Sequence, residues 1–115
     1  MQYVILVYEN EEAFAARSNE RAGAYWGAYQ AYSTAMREAG ILRGGNGLQG
    51  PPAATSVRLK DGERLVQDGP FADAKEQLGG YFVIEVDNFD AALEWAARSP
   101  SMTEGGVEVR PVLVM

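Results

Sequence analysis

Residues 3 to 8, YVILVY, run through six apolar or aromatic side chains without a polar interruption. A strand sends alternate side chains to opposite faces, so such a run puts apolar groups on both. A second run, YFVIEV at 81–86, nearly repeats the pattern. A sheet built on two such strands must be covered on two sides, and what the rest of the chain offers as cover decides the architecture.

The segment up to Gly40 reads as helix. Ala22, Tyr25, Trp26, Tyr29, Tyr32, Ser33 and Met36 fall at three- and four-residue spacings, with Gln30, Thr34, Arg37 and Glu38 opposite. Ser18 or Asn19 is expected to cap its start and Gly40 to end it. A second helix is expected after Asn88, with Asp90 in its first turn, Phe89, Ala92, Leu93 and Ala96 as its buried stripe, and Pro100 just past its end. Between the helices, ILRGGNGLQGPP opens as a short strand and dissolves into a glycine–proline loop. ATSVRL and ERLVQD flank Lys60-Asp61-Gly62, a hairpin turn, and VEVRPVLVM makes the last strand.

The order is strand, helix, strand, hairpin, strand, helix, strand. It predicts one α+β domain over residues 1–115, a ferredoxin-like βαββαβ sandwich with an added β-hairpin. Two helices cover one face of that sheet. The other face, apolar and bare, needs a partner, and the simplest is a second copy, sheet facing sheet. A homodimer is therefore expected.

What the chain lacks narrows its chemistry. It has no cysteine, which excludes disulfides, thiolate nucleophiles and zinc–thiolate sites. It has no histidine, which removes the usual general base near neutral pH and the commonest transition-metal ligand. Only oxygen ligands remain, and no D-x-D-x-D-G loop gathers them, so neither a metal nor a cofactor is expected. The net charge of −6 and the lack of a basic cluster argue against nucleic-acid binding. The N-terminal run has acids directly after it and no basic region before it, so it reads as a strand and not as a signal peptide. No apolar run reaches the roughly 18 to 20 residues of a membrane span. No membrane association and a cytoplasmic location are expected.

GNGLQG, Gly45 to Gly50, matches G-x-G-x-x-G, but Pro51-Pro52 follow where the dinucleotide fingerprint needs a helix. It is read as a loop. Tyr25, Trp26, Tyr29 and Tyr32 are read as core or dimer interface. Trp95, off its helix's stripe, is expected against a neighbouring loop or subunit. Glu108 and Arg110 share one face of the last strand, and Glu85 shares a face with Tyr81 and Val83. Turned into the space between facing sheets, such charges must pair with each other or meet a polar ligand.

The densest stretch is DGPFADAKEQLGG, residues 68–80. Pro70 is expected to hold Gly69 extended, Asp68 to accept from a backbone N–H two residues on, and Phe71 to plug the core beneath. Asp73, Lys75 and Glu76 are more charge than a plain connection needs. A Lys75–Glu76 or Asp68–Lys75 pair facing a cleft is a candidate for holding a polar ligand or moving a proton. The candidate ligand-binding residues are Asp68, Phe71, Lys75, Glu76, Tyr81 and Arg110. Asp68, Lys75 and Glu76 are the catalytic candidates.

Asp68-Gly69-Pro70-Phe71, the following ADAKEQLGGY, Leu93-Glu94-Trp95-Ala96 and the closing VEVRPV resemble the DGPF branch of the YCII-related family nearly end to end. The resemblance implies a dimeric α+β barrel of ferredoxin-like subunits, a bacterial source, and gene neighbourhoods shared with extracytoplasmic-function sigma factors. Some relatives use a histidine–aspartate pair, and one eliminates chloride from a chlorinated hydroxyquinol. This chain has RAGAYWGAY in the first helix, Ser99-Pro100 where relatives have Asp-Pro, and Glu104-Gly105-Gly106 where they commonly have a histidine. Three functions follow as expectations. The first is a dimer holding a small polar or aromatic molecule in the inter-sheet cleft, with Arg110 on a ligand carboxylate or on Glu108. The second is a lyase- or isomerase-type enzyme built on a carboxylate and lysine. The third is a regulatory protein acting beside a sigma factor.

Overall fold

The computed structural model describes residues 1–115. Four strands form one antiparallel sheet: β1 (Gln2–Glu9), β2 (Leu42–Gly47), β5 (Gln77–Glu85) and β6 (Gly105–Pro111), in the spatial order β2-β5-β1-β6. Two further strands, β3 (Thr55–Lys60) and β4 (Glu63–Asp68), pair only with each other. Chain order and spatial order together make two split βαβ units, the ferredoxin-like arrangement expected, with the hairpin added between them.

The helices are α1 (Glu11–Ala16), α2 (Ala22–Glu38) and α3 (Phe89–Ala96). The single helix expected before Gly40 is two. Asn10 caps α1, its side chain accepting from the Ala13 N–H at 3.0 Å. Asn19 then accepts from the Arg21 N–H at 2.8 Å and closes a local turn, so α2 starts afresh after Arg21. Gly40 ends α2 with φ +73°, and Asn88 caps α3 through the Ala91 N–H at 2.8 Å, both as the sequence implied.

β1 alternates strictly. Tyr3, Ile5, Val7 and Glu9 are buried beneath the helices, while Gln2, Val4, Leu6 and Tyr8 face the other way. Register carries this across the sheet. Tyr3 lies opposite Ile84 and Ile5 opposite Phe82 on the covered side; Val4 lies opposite Val83 and Arg110 on the open side. Tyr32, Met36, Ala92 and Ala96 close the core from above. Tyr32 meets Phe82 edge-on at 5.3 Å, and its hydroxyl donates to the Trp95 carbonyl at 2.7 Å.

Several local expectations are corrected. α3 buries Ala92 and Ala96 with Trp95 packed against the core, while Phe89 and Leu93 are exposed. β2 does not dissolve at its glycines; it runs to Gly47, shifting register between Leu42 and Gly44. In the 68–71 turn, the position two residues beyond Asp68 is Pro70, which has no N–H to give. Gly69 adopts φ +105°, which only glycine takes readily, and its N–H donates to the Ala54 carbonyl at 2.8 Å. Phe71 is 66 % exposed and lies beneath the Arg58 guanidinium at 4.0 Å instead of plugging the core. The hairpin turn is as expected: Asp61 and Gly62 have φ +53° and +78°, the primed geometry that Asp-Gly favours.

No helix is long and apolar enough to cross a membrane.

Candidate functional site

The β1 alternation that buries Tyr3, Ile5 and Val7 also buries Glu9, which is 2 % exposed. A carboxylate removed from water must find hydrogen bonds or it destabilises the fold. Glu9 finds them from two directions. Tyr25 and Tyr29, one helical turn apart on α2, both reach down to it. The Tyr25 hydroxyl lies 2.7 and 2.8 Å from the two carboxylate oxygens, and Tyr29 donates to Oε2 at 2.9 Å. Arg17, released by the break between α1 and α2, turns back and places Nη2 3.3 Å from Oε1.

Arg17 does more than neutralise this charge. Its Nε donates to the Tyr25 hydroxyl at 2.9 Å, Nη2 to the Gly79 carbonyl at 3.0 Å, and Nη1 to the Leu48 carbonyl. One guanidinium thus ties together the end of β1, the start of β5, the loop after β2 and α2. The planar fork of arginine allows this; a lysine could not make the same set of bonds. Its carbonyl in turn accepts from the Trp26 indole N–H at 3.0 Å. Gly79 is required by the same crowding: a Cβ there would sit 2.8 Å from Glu9 Oε1 and 3.0 Å from Arg17 Nη2.

Burial and the neighbouring carboxylate push the phenols up. Tyr25 rises to about 12, through burial first and its bond to Glu9 second. Tyr29 is raised further, again by burial and then by Glu9. Burial alone lifts Tyr32 to about 12. At neutral pH the two phenols on Glu9 are therefore protonated donors, and neither serves as a base.

Beside this cluster, between α2 and the covered face of the sheet, lies a cavity of about 350 Å³. Glu9, Arg17, Tyr25 and Tyr29 line it together with Val7, Trp26 and Phe82, and the glycines Gly47, Gly79 and Gly80 leave room on the sheet side. Trp26 stands edge-on to Tyr25 at 4.8 Å. The volume is at the lower end of what small-molecule sites use, and the lining matches their usual make-up: apolar and aromatic walls with a few fixed polar groups.

The six sequence candidates are not assembled at one place. Asp68 ends β4, exposed, and enters none of the chain's ion pairs. Lys75 and Glu76 are also exposed and unpaired with acid or base, so neither a Lys75–Glu76 nor an Asp68–Lys75 bridge forms. Phe71 and Glu76 border a hollow with Tyr8 and Leu78, whereas Lys75 borders a separate one on the outer side of Arg17 and Phe14. Tyr81 lies on the open face, where its hydroxyl accepts from Asn46 Nδ2 at 3.0 Å, and it edges the α2 cavity. Arg110, also on the open face, is exposed and pairs with Glu108, one of the two partners expected. Of the aromatic series on α2, Tyr32 is core, Tyr25 and Tyr29 are half-buried and carry polar work besides, and Trp26 stands exposed at the cavity instead of in the core. Glu9 and Arg17 went unnoticed in the sequence, although Glu9 stands in phase with Tyr3, Ile5 and Val7.

The chain is 35% identical to an uncharacterised protein of Rhizobium meliloti (strain 1021) over 114 residues, covering 97% of this chain and 92% of that one. Its fold is similar to that of 5-chloro-2-hydroxyhydroquinone dehydrochlorinase from Burkholderia phenoliruptrix AC1100, solved in complex with 2,5-dihydroxybenzoquinone. The TM-score is 0.59 at 14% identity, over 98% of this chain and 94% of the enzyme. At that identity the likeness concerns the fold alone. The family model for the YCII-related domain matches residues 1–115, and the chain belongs to the YCII-related family.

Proposed function

We propose that the protein binds a small hydroxylated aromatic molecule in the cavity between α2 and the sheet, as a dimer paired through its open sheet face. The observation that carries this is the cavity itself, with aromatic walls meeting a polar floor of Glu9, Arg17, Tyr25 and Tyr29. A ring of modest size fits against Trp26, Val7 and Phe82. Ligand oxygens face Arg17 and the tyrosine hydroxyls, which are fixed before the ligand arrives and so lose little freedom on binding. The structurally similar dehydrochlorinase was solved with 2,5-dihydroxybenzoquinone, the oxidised counterpart of such a ring and of similar size. On this reading the ligand lies on the helix side of the sheet. In the dimer, Tyr81 and Arg110 border the space between the facing sheets.

A second function, proton transfer of the lyase or isomerase type, is favoured by one fact: a buried carboxylate lines the cavity. In that role Glu9 takes a proton from the ligand's carbon while Tyr25, Tyr29 and Arg17 hold the carboxylate in place. Here the acid is Glu9, and Asp68 and Glu76 take no part.

A thermal-shift screen with hydroquinones, catechols and hydroxybenzoates tests binding. A hit is expected to raise the melting temperature of the wild type and to lose that effect in Trp26→Ala, whose indole is exposed at the cavity and outside the core. Failure of all three classes to shift the wild type rejects the proposal. Solvent deuterium appearing in a bound ligand, followed by NMR, separates proton transfer from binding alone.

A further inference from the structure

The hairpin β3–β4 is built as if it were not meant to stand in water. Every residue from Val57 to Asp68 is exposed, including Val57 at 56 %, Leu59 at 77 % and Val66 at 54 %. Cross-strand register places Val57 opposite Val66 and Leu59 opposite Arg64, so the three apolar side chains form one stripe on one face of the hairpin. An isolated two-stranded hairpin is at best marginally stable in water; it needs a third strand or a packed face. Its own chain supplies no third strand, and packs only Phe71 against Arg58, on the face opposite the Val57–Leu59–Val66 stripe.

The surface of the whole molecule agrees. A compact monomer of this mass exposes about 6,200 Å², whereas this chain exposes 7623 Å². The excess of about 1,400 Å² is more than the roughly 800 Å² that each partner contributes to a standard interface. The radius of gyration tells the same story, at 15.7 Å against about 13.4 Å for a compact chain of this length. The molecule is a slab of 47 × 44 × 18 Å. One helix layer on one sheet fills that thickness, so the hairpin continues outward in the plane of the slab and covers neither of its faces.

We infer that the β3–β4 hairpin is an arm that packs its Val57–Leu59–Val66 face onto a second copy of this chain, extending the contact between the two open sheet faces. The inference rests on the dimer proposed above and adds a surface to it. A strand of six residues reaches about 20 Å, and facing sheets lie about 10 Å apart, so an in-plane arm runs past the edge of its own sheet alongside the partner. Twofold symmetry gives the second copy the same arm in return, and each pair of copies makes the contact twice. The second copy is also the one partner certain to offer a matching apolar face, since the open side of its sheet presents Val4, Leu6 and Val83. Charge does not oppose this. Residues 55–68 hold Arg58, Lys60 and Arg64 against Asp61, Glu63 and Asp68 and are neutral, so the arm brings no net negative charge to a partner that carries −6 in all.

Sedimentation of the whole protein across micromolar concentrations, with amide exchange of residues 55–68, tests the arm. Wild type is expected to be a dimer, with protection of the arm amides that is lost on dilution. Val57→Thr with Val66→Thr keeps strand propensity and shape while making the stripe polar. This double variant is expected to weaken dimerisation on the order of 100-fold, with an unchanged far-ultraviolet spectrum. A wild type that stays monomeric overturns the arm and the dimer together. A wild-type dimer whose association is untouched by the double variant overturns the arm alone. Ligand binding in the α2 cavity is read separately by thermal shift, so its outcome is independent of both.

Discussion

Replacing Glu9 by glutamine changes one atom and removes one charge, and the structure says how much that should cost. Both carboxylate oxygens receive donors: Tyr25 and Arg17 at Oε1, Tyr25 and Tyr29 at Oε2. An amide offers one acceptor oxygen. If that oxygen takes the Oε1 place, the NH₂ confronts the Tyr29 hydroxyl; if it takes the Oε2 place, the NH₂ confronts the Arg17 cation. Either way a donor is orphaned, at about 1–3 kcal/mol, and the remaining bonds lose the charge that strengthens them. Arg17, largely buried, is also left without its counter-ion, although two carbonyls still hold it. A loss of about 3 kcal/mol is expected. For 115 residues the unfolding entropy is about 0.24 kcal/mol per kelvin, so the melting temperature should fall by about 12 °C. Calorimetry at one fixed protein concentration measures it, since any self-association would make the midpoint concentration-dependent. A fall of under about 4 °C, or roughly 1 kcal/mol, would show that the carboxylate is not held as described. An independent readout is the ultraviolet titration of tyrosine. Tyr25, at about 12 in the native protein, should move part of the way back towards its ordinary value, because burial, the larger cause, persists.

Three further outcomes are expected. Tyr25, Tyr29 and Tyr32 all have native pKa values raised above their unfolded ones, so the stability they supply is intact below about pH 10 and is lost as pH climbs towards 12 and beyond; equilibrium denaturation should show a steep alkaline loss, and a flat profile to pH 12 would contradict it. Gly79→Ala drives a methyl into Glu9 and Arg17 at 2.8 and 3.0 Å, where the carboxylate is pinned by its phenols and cannot give way, so a loss of about 2 kcal/mol is expected in urea denaturation and one below about 0.5 kcal/mol would show that the cluster yields. Gly62→Ala forces a Cβ into φ +78° at about 1–2 kcal/mol, and it should speed amide exchange in β3 and β4 at least about fivefold while barely moving the midpoint of the core.

The topology could be read from hydrophobic period alone. YVILVY and YFVIEV fixed the two central strands, the tyrosine spacing fixed α2, and Asn88, Gly40 and Asp61-Gly62 fixed two helix ends and a turn through chemistry local to a few residues. The polar cluster was hidden because nothing local marks it. Glu9 sits at the end of an apolar run, followed by Glu11 and Glu12, and looks like the first of a group of solvated acids. Only its phase with Tyr3, Ile5 and Val7 says that it points inward. Arg17 falls just before the cap expected at Ser18 or Asn19, and nothing local says that it folds back onto Glu9; the short α1 ahead of it, which the sequence reading did not separate, is what sets it there. The 68–76 stretch misled in the opposite sense. Its charge density drew notice, yet those side chains stand exposed beside the β3–β4 hairpin.

The placement of Trp26 has a practical result. Its ring borders the α2 cavity, its N–H is held by the Arg17 carbonyl, and Arg17's guanidinium lies 5.6 Å from the ring centre. An indole so fixed beside a cation and the Tyr25 phenol has an emission set by that surrounding, and a quinone or phenol entering the cavity would quench or shift it. The chain's other tryptophan, Trp95, is under Arg98 on α3, at a different part of the core. With Trp95 replaced by phenylalanine, the protein would carry a single intrinsic fluorophore at the mouth of its cavity, reporting occupancy without any added label.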